Sequence, residues 1–202
     1  DGREWLISNG VLDDVIVLLA AEQRVPVQVV NATQAGGAYL RYLASKFEEP
    51  RLKGLAQVGL GPLLAEWFIS DTTVTGAVAV LSVPDLWTAE GLLPVPDRTM
   101  FRGVRSDKEI NPESYFARQK EMWDTLGKEI SGAASRRNPA QPWIQWLQTH
   151  ISKVANNAGV LLEDLQRKDL AFEAYSAARD LDTNNISALL NMLDLAHADA
   201  SP

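Results

Sequence analysis

Polar side chains follow the apolar runs in the first half of the chain, at the points where strands would end. The candidates for ligand contact are Asn9, Asp13, Asp14, Asn31, Ser82 and Asp85. In open α/β sheets, ligands bind beyond the carboxyl ends of the strands, where such residues would meet. Carboxylate, amide and hydroxyl oxygens suit a sugar or a hard cation such as Mg²⁺ or Ca²⁺. This pattern supports a ligand-binding or catalytic α/β domain.

The same residues also have a purely structural explanation. Asp13 and Asp14 would lie in the first turn of a helix, where the helix dipole favours acidic side chains. Asn9 precedes a glycine in an ordinary turn dipeptide, and Asn31 and Ser82 are common at strand ends. The structural explanation is the favoured one, and the ligand site stays open beside it.

Motifs of established catalytic chemistry are missing from the sequence. Gly59-Leu60-Gly61 begins a glycine-rich phosphate loop, but Leu64 replaces the third glycine and the string lies inside a helical pattern. GxxxxGK and GxSxG strings are absent. The chain has no cysteine, and His150 and His197 are far apart in sequence, which argues against a zinc site. We therefore predict neither a cofactor nor a metal centre, and we favour a protein that is not an enzyme.

The composition also limits the kinds of partner that the chain is expected to bind. The 202 residues are 46% hydrophobic, enough for one good core or for a domain with an appendage. The formal charge is −7 and the longest basic run is Arg136-Arg137, so a nucleic-acid partner is not expected. No apolar run reaches the roughly 18 residues that span a bilayer. We expect a soluble piece of a longer protein, with its compartment left open.

The elements that would position the candidate residues follow from the hydrophobic periodicity. Short apolar runs predict four strands, at residues 4–8, 25–30, 77–81 and 99–104. Helical spacing predicts helices after the first strand and at about 38–47, 51–68 (broken near Gly59) and 84–91. Strand, helix and strand with short links form a βαβ unit with parallel strands. The expected fold is α/β, with a small, Rossmann-like, mainly parallel sheet and flanking helices.

The second half of the chain has a different pattern. Asn111-Pro112 would begin an amphipathic helix that ends near residue 130, and the loop at 131–140 is the best linker. Beyond Pro142 the pattern is helical, with breaks near 166–167 and 183–184. The predicted organisation is an α/β domain at 1–105, a connecting helix and linker at 106–140, and a helical arm at 141–202.

The helical arm resembles the tetratricopeptide repeat family over about residues 152–196. The residues that carry the resemblance are Ala158, Gly159 and Leu162 in a first helix and Ala171, Tyr175 and Ala178 in a second. Leu181–Asn185 matches the closing turn, with Thr183 in place of the usual proline, and Ala155 replaces an expected aromatic. The resemblance covers one repeat and the first helix of the next.

The resemblance implies a protein or peptide partner. It assigns the partner-binding face of the first helix to Lys153, Asn156, Val160, Glu163 and Asp164. The overall layout is also similar to the soluble tails of bacterial multi-spanning membrane proteins that end in such repeats, which implies a membrane-anchored parent with further repeats. The expected function is protein interaction or scaffolding; the alternative is an α/β domain that acts on a sugar or nucleotide.

Overall fold

The computed structural model of the chain describes residues 3–134 and 139–200. Within these residues the chain forms two compact units. The first, here called the sheet unit, comprises the chain up to Pro94 together with Phe101–Arg105. The second, the helical unit, comprises Val95–Met100 and the chain from Ser106 onward.

In the described part of the chain, five strands form one mixed sheet. They are β1 (Trp5–Ser8), β2 (Gln28–Asn31), β3 (Val78–Val80), β4 (Leu93–Asp97) and β5 (Met100–Val104). The strand order is β2-β1-β3-β5-β4. β1 pairs in parallel with β2 and with β3, whereas β3 pairs antiparallel with β5. The predicted βαβ unit is confirmed, and the expected mainly parallel sheet is in fact mixed.

Six helices of the described sheet unit lie between its strands in sequence, four of them between β2 and β3. They are α1 (Asp13–Gln23), α2 (Gly37–Ala44), α3 (Pro50–Val58), α4 (Leu60–Ser70), α5 (Val74–Ala77) and α6 (Asp85–Ala89). The predicted break in the long helical stretch falls at Gly59, between α3 and α4. The short helix α5 was not predicted.

Prolines explain the two differences in the strands. β2 begins at Gln28 rather than at Val25, because Pro26 has no N–H to donate to a neighbouring strand. β4 was not predicted because Pro94 and Pro96 argue against a strand. The structure places β4 at the edge of the sheet order, the position in which a strand tolerates proline.

The core of the sheet unit is built around aromatic side chains. Trp67 of α4 contacts Trp5 and Phe47 edge to face, with ring centroids 4.9 and 5.0 Å away. Trp87 of α6 is completely buried, and Gly103 of β5 lies so close to its ring that a Cβ there would overlap it. The tryptophans of this unit thus serve the core, where such large side chains contribute most.

Four long helices make up most of the described helical unit. They are α7 (Pro112–Ala134), α8 (Gln141–Asp164), α9 (Lys168–Leu181) and α10 (Ile186–Ala200). α8 packs on α9, α9 packs on α10, and α7 packs on both α8 and α9. Both predicted breaks, near 166–167 and near 183–184, are confirmed. Within residues 3–134 and 139–200, no helix is both long enough and apolar enough to cross a membrane.

The predicted linker at 131–140 begins later than expected. α7 continues to Ala134, so the first residues of that segment are helical. Residues 135–138 lie outside the described residues. Pro139 and Ala140 form a turn immediately before α8.

Within the helical unit, buried polar side chains connect the segment Val95–Met100 to α7 and α8. The hydroxyl of Tyr115 in α7 donates to the carbonyl oxygen of Pro96 at 2.9 Å. Gln119, also in α7 and buried, accepts a backbone N–H of the segment at 2.6 Å. His150 of α8 contacts the carbonyl oxygen of Thr99 through Nε2 at 2.7 Å. A carbonyl only accepts, so neutral His150 carries its proton on Nε2.

Candidate functional site

A group of polar residues at the carboxyl ends of β1 and β2 forms the sheet-edge cluster: Ser8, Asp13, Asn31 and Thr33. The Ser8 hydroxyl donates to one carboxylate oxygen of Asp13, and Asn31 Nδ2 donates to the other at 3.0 Å. Asn31 Oδ1 accepts from the backbone N–H and the hydroxyl of Thr33, at 2.9 and 2.7 Å. The first residue of α1 is thereby joined to the ends of two parallel strands.

Two neighbours complete the surroundings of the sheet-edge cluster. Gly10 has φ +90 and lies against Asn31 so closely that a Cβ would overlap that side chain, so the turn requires glycine. The hydroxyl oxygen of Tyr39 accepts the backbone N–H of Asn31 at 2.6 Å, and burial raises the pKa of Tyr39. Both carboxylate oxygens of Asp13 already accept protein donors. The cluster therefore fixes the local loops by its own hydrogen bonds.

The other predicted ligand residues differ in their surroundings. Asn9 Oδ1 accepts the backbone N–H of Val11 at 3.3 Å, the ordinary bond of a tight turn. Asp14 and Asp85 are exposed side chains and take no part in the hydrogen bonds of the sheet-edge cluster. Among the predicted residues, Asp13 and Asn31 are brought together by a direct hydrogen bond.

Ser82 lies just beyond β3 and has an unusual backbone conformation. Its φ is +68, in the left-handed region that non-glycine residues seldom adopt. The strand extends up to it, because the backbone N–H of Leu81 donates to the carbonyl of Ile7 in β1 at 2.7 Å. Ser82 thus follows the end of β3, and β1 lies between that strand and β2, the strand of Asn31.

Among residues 3–134 and 139–200, no group of three or more histidine, aspartate or glutamate side chains is arranged to hold a metal ion.

The predicted partner-binding face of α8 divides into two groups. Lys153, Val160 and Asp164 are exposed, and Val160 is the apolar member of the three. These residues are accessible for contact with a second molecule. Their exposure does not indicate which kind of partner would bind, because the three side chains are one cation, one anion and one apolar group.

The other two predicted residues already have contacts within the helical unit. Asn156 is buried, and its Oδ1 accepts from Asn191 Nδ2 of α10 at 3.1 Å. Glu163 accepts the hydroxyl hydrogen of Tyr175 of α9 at 3.0 Å. Burial, followed by the hydrogen bond to Glu163, raises the pKa of Tyr175 far above its usual range. These side chains connect α8 to its neighbouring helices.

The interface between α8 and α9 is closely packed. Gly159 lies against the ring of Tyr175, so that a Cβ at this position would overlap the ring. Ala158 and Ala171 are completely buried at the same interface. Small residues at these positions allow the two helices to approach one another and to surround one large aromatic side chain.

A buried hydrogen-bond chain continues from α8 to the start of α10. The hydroxyl of Ser152, which is completely buried, donates to the carbonyl of Ala178 at 2.6 Å and accepts from Asn185 Nδ2 at 2.8 Å. Asn185 Oδ1 accepts the backbone N–H of Ala188 at 3.1 Å, which caps α10. The position of α10 is therefore coupled to the α8–α9 pair.

Helix α10 has one buried face and one exposed apolar face. Its inner face contains the buried residues Ala188 and Leu195. The opposite side, here called the α10 face, consists of Ile186, Leu189, Leu190 and Leu193. Their exposed fractions are 67%, 44%, 55% and 50%, in that order. Residues at i, i+3, i+4 and i+7 lie on one side of a helix, so these four form a continuous apolar stripe.

A groove of about 490 Å³ lies between α7, α8 and α9. Its lining includes Trp123, Gly127 and Leu181 together with charged residues of both signs, among them Lys128 and Glu173. The indole Nε1 of Trp123 is buried and has no hydrogen-bond acceptor among the described residues. The five residues of the predicted partner-binding face do not line this groove.

The α10 face was not predicted from the sequence, although the spacing of its apolar residues is present there. Ile186, Leu189, Leu190 and Leu193 have the spacing of an amphipathic stripe. The same spacing is typical of a helix that packs into its own core, and the sequence does not distinguish a covered stripe from an exposed one. Ala188 and Leu195, seven residues apart on the opposite side of the helix, are the buried ones.

No protein-family model, no curated protein and no solved structure matches this chain.

Proposed function

We propose that the chain is a non-enzymatic protein-interaction module, in which the α10 face binds an amphipathic helix of a protein partner. The observation that carries this proposal is the division of α10 into two faces. Ala188 and Leu195 are buried, whereas the four residues of the α10 face are 44–67% exposed. Contiguous exposed apolar stripes of this kind are typical of sites that bind a helix.

A tetratricopeptide-like arrangement of the helical unit supports the proposal. Gly159 and Tyr175 are in close contact, and Ala171 and Ala178 are buried, as the small–aromatic–small series of such repeats requires. α7 packs on both α8 and α9, in the place of a preceding helix. In such an array every helix is covered on both sides by its neighbours, and terminal helices need a cap. An additional helix on α10 would continue this pattern.

The stripe is large enough to contribute to binding but not to dominate a tight complex. Complete burial of one aliphatic side chain contributes roughly 1.5–3 kcal/mol. The four side chains of the α10 face are about half exposed, which gives about 4 kcal/mol in total before the cost of association. We therefore expect a weak or moderate affinity from α10 alone, strengthened by contacts such as Val160.

A matched pair of variants tests this function. Leu190→Glu places a charge in the centre of the α10 face, and Ser187→Glu places the same charge on an exposed flank of the same helix. The whole chain would be immobilised and exposed to a lysate of the organism that makes it. We expect the wild type and Ser187→Glu to retain the same proteins and Leu190→Glu to lose them. Equal retention by all three would contradict the proposal.

The sheet unit supports a second candidate function, a small-molecule site at the end of β1 and β3. The parallel strands β2-β1-β3 are similar to part of a Rossmann-like sheet, in which β1 lies where the chain connections diverge. Ligands bind at such a position, and the left-handed backbone of Ser82 lies there. Ser82→Gly relieves the strain of that backbone conformation and removes the hydroxyl group.

The second candidate is tested by thermal unfolding with a panel of sugars and nucleotides. A ligand of this site would raise the melting temperature of the wild type and raise that of Ser82→Gly less. A panel that leaves the wild type unchanged at millimolar concentration would remove the support for this candidate. The protein-interaction proposal does not depend on the result, because it concerns the other unit.

A further inference from the structure

Helix α1 is an aliphatic helix with no buried residue along its whole described length. Leu18 is 70% exposed, and Val15, Val17 and Leu19 are each about half exposed. Val11 and Val25, on either side of the helix, are also exposed. A run of this kind in a flanking helix is normally covered by other structure, because an exposed apolar surface of this extent marks an interaction site.

The exposed side chains of α1 cover every side of the helix except one. The partly buried residues Asp13, Ile16 and Ala20 face the rest of the sheet unit. At about 100° per residue, Val15 and Leu18 point away from that side and Leu19 lies beside Val15 on the adjoining flank, and we call these three the α1 stripe. Val17 lies outside the α1 stripe, on a flank of the helix. Since Asp13 is joined to Ser8 and Asn31, the start of the stripe is held in a fixed position.

We propose that the α1 stripe binds the α1 stripe of a second copy of the chain, with the two helices antiparallel about a two-fold axis beside Leu18 and Leu19. The charges at the two ends of α1 favour a second copy of the chain as the partner and an antiparallel arrangement of the two helices. Asp14 is exposed in the first turn, and Arg24 is exposed at the other end, immediately after Gln23. An antiparallel pair brings each Asp14 near Arg24 of the second copy.

Opposite charges meet at both ends of the antiparallel pair. A parallel pair would bring together Asp14 with Asp14 and Arg24 with Arg24, at a cost in energy. The antiparallel direction also opposes the two helix dipoles, so that the positive end of each lies beside the negative end of the other. A two-fold axis makes the surface complementary to itself, as most homodimer interfaces are.

One helix face is a small interface. A standard interface contributes about 800 Å² from each partner, and the side chains of one stripe and its flanks supply less. We therefore expect a reversible dimer with a dissociation constant on the order of 10–100 μM. Glu22 lies between the apolar residues and the end of the helix, and in the pair it lies opposite Val15 of the second copy. Its charge weakens the association.

Sedimentation equilibrium of the whole chain between about 5 and 500 μM tests the dimer. We expect the wild type to dimerise, Leu18→Glu to remain monomeric, and Val17→Glu to dimerise as the wild type does. Val17→Glu is the matched control because it introduces the same charge at another exposed aliphatic position, one residue away and outside the α1 stripe. Circular dichroism establishes that all three are folded. A monomeric wild type throughout this range, or equal dimerisation of Leu18→Glu and the wild type, would overturn the proposal.

Charge reversal tests the direction of the pair. Asp14→Arg and Arg24→Asp, made singly, place like charges together at both ends, and each is expected to weaken the dimer about three- to tenfold. The double variant exchanges the two charges and is expected to restore the wild-type dissociation constant to within about twofold. Failure of the double variant to recover would overturn the antiparallel arrangement. Glu22→Gln is expected to tighten the dimer, and a weaker dimer would contradict the placement of Glu22.

Discussion

Helices α9 and α10 are neighbours, yet α9 buries most of its apolar side chains and α10 leaves most of its own exposed. α9 packs on α7, α8 and α10, and it buries Ala171, Ala174, Tyr175, Ala178 and Leu181. α10 buries Ala188 and Leu195 on one side and leaves its larger side chains exposed on the other. The difference teaches that a helix covered on one side only keeps apolar surface that a helix packed between several others buries.

The residue types agree with this difference. α9 has small residues around one tyrosine, so its helix axis approaches α8 closely. α10 has leucine and isoleucine on its exposed side, which are suited to contact with an incoming helix across a wider separation. The enclosed helix should therefore be sensitive to added volume and to lost hydrogen bonds, whereas the exposed face of α10 should affect binding and hardly affect stability.

The largest effect on stability is expected where α8 and α9 are closest. Gly159→Val adds a branched side chain where even a Cβ overlaps the Tyr175 ring. We expect a loss of about 3 kcal/mol in the free energy of unfolding, measured in urea. Gly132→Val is the control in α7, because a Cβ there has no heavy atom within 4 Å. Equal losses for both variants would show that the Gly159–Tyr175 contact is not tightly packed.

Removal of a buried hydroxyl is expected to have the next largest effect. Ser152→Ala deletes the donor to the Ala178 carbonyl, which keeps only the backbone N–H of Asp182, and removes the acceptor for the partly buried Asn185 Nδ2. We expect a loss of about 2 kcal/mol in the free energy of unfolding. Ser187→Ala, at an exposed position of α10, should change it by no more than about 0.5 kcal/mol. The coupling of α10 to the α8–α9 pair would be contradicted by a Ser152→Ala protein as stable as the wild type.

A smaller, pH-dependent effect is expected from His150. Burial, opposed by the hydrogen bond to Thr99, lowers the pKa of His150 in the folded protein, and the charge of Lys153 lowers it further. The unfolded chain therefore binds the proton more readily, so stability is complete above about pH 6.5 and declines as the pH falls below that value. Unfolding in urea between pH 5 and 8 measures this decline.

Two variants assign the pH dependence to this residue. His150→Gln retains an N–H donor for the Thr99 carbonyl and removes the titrating ring, so the decline below pH 6.5 should become shallower. His197→Gln replaces the exposed imidazole of α10 and serves as the control. If His150→Gln and the wild type decline in parallel, the buried histidine is not the cause.

The smallest effect on stability is expected at the α10 face. Leu190→Glu replaces a side chain that is 55% exposed, so the free energy of unfolding should change by about 0.5 kcal/mol at most. A loss of 2 kcal/mol or more in urea would mean that Leu190 is part of the core of the helical unit. In that case α10 would resemble α9, and the difference between the two helices would disappear.

The sequence was sufficient for the elements with strong local signals. The alternation of strand, helix and strand at the start predicted the parallel pairing of β1 with β2, and the breaks near 166–167 and 183–184 predicted the ends of α8 and α9. β4 was not predictable because it contains two prolines, which are uncommon in strands. The direction of β5 was not predictable either, since it depends on a hairpin turn that follows the unrecognised strand.

Side-chain partners were less predictable than elements. The meeting of Asp13 with Asn31 followed from parallel strands that end at the same edge, and hydrogen bonds do join the two. Periodicity does not reveal that Glu163 and Asn156 are engaged by Tyr175 and Asn191, because those contacts depend on the packing angles of three helices. For the same reason the exposure of the α10 face could not be read from the sequence.

The most direct measurement of the central claim is a methyl NMR titration of the whole chain with a helical peptide. A peptide with the sequence of residues 166–185 supplies a helix of the kind that α10 already packs against on its inner face. We predict saturable shifts of the Leu189, Leu190 and Leu193 methyl groups, with Leu162 unaffected, and no such shifts in Leu190→Glu. Unchanged leucine spectra up to millimolar peptide would contradict the claim that the α10 face binds a helix.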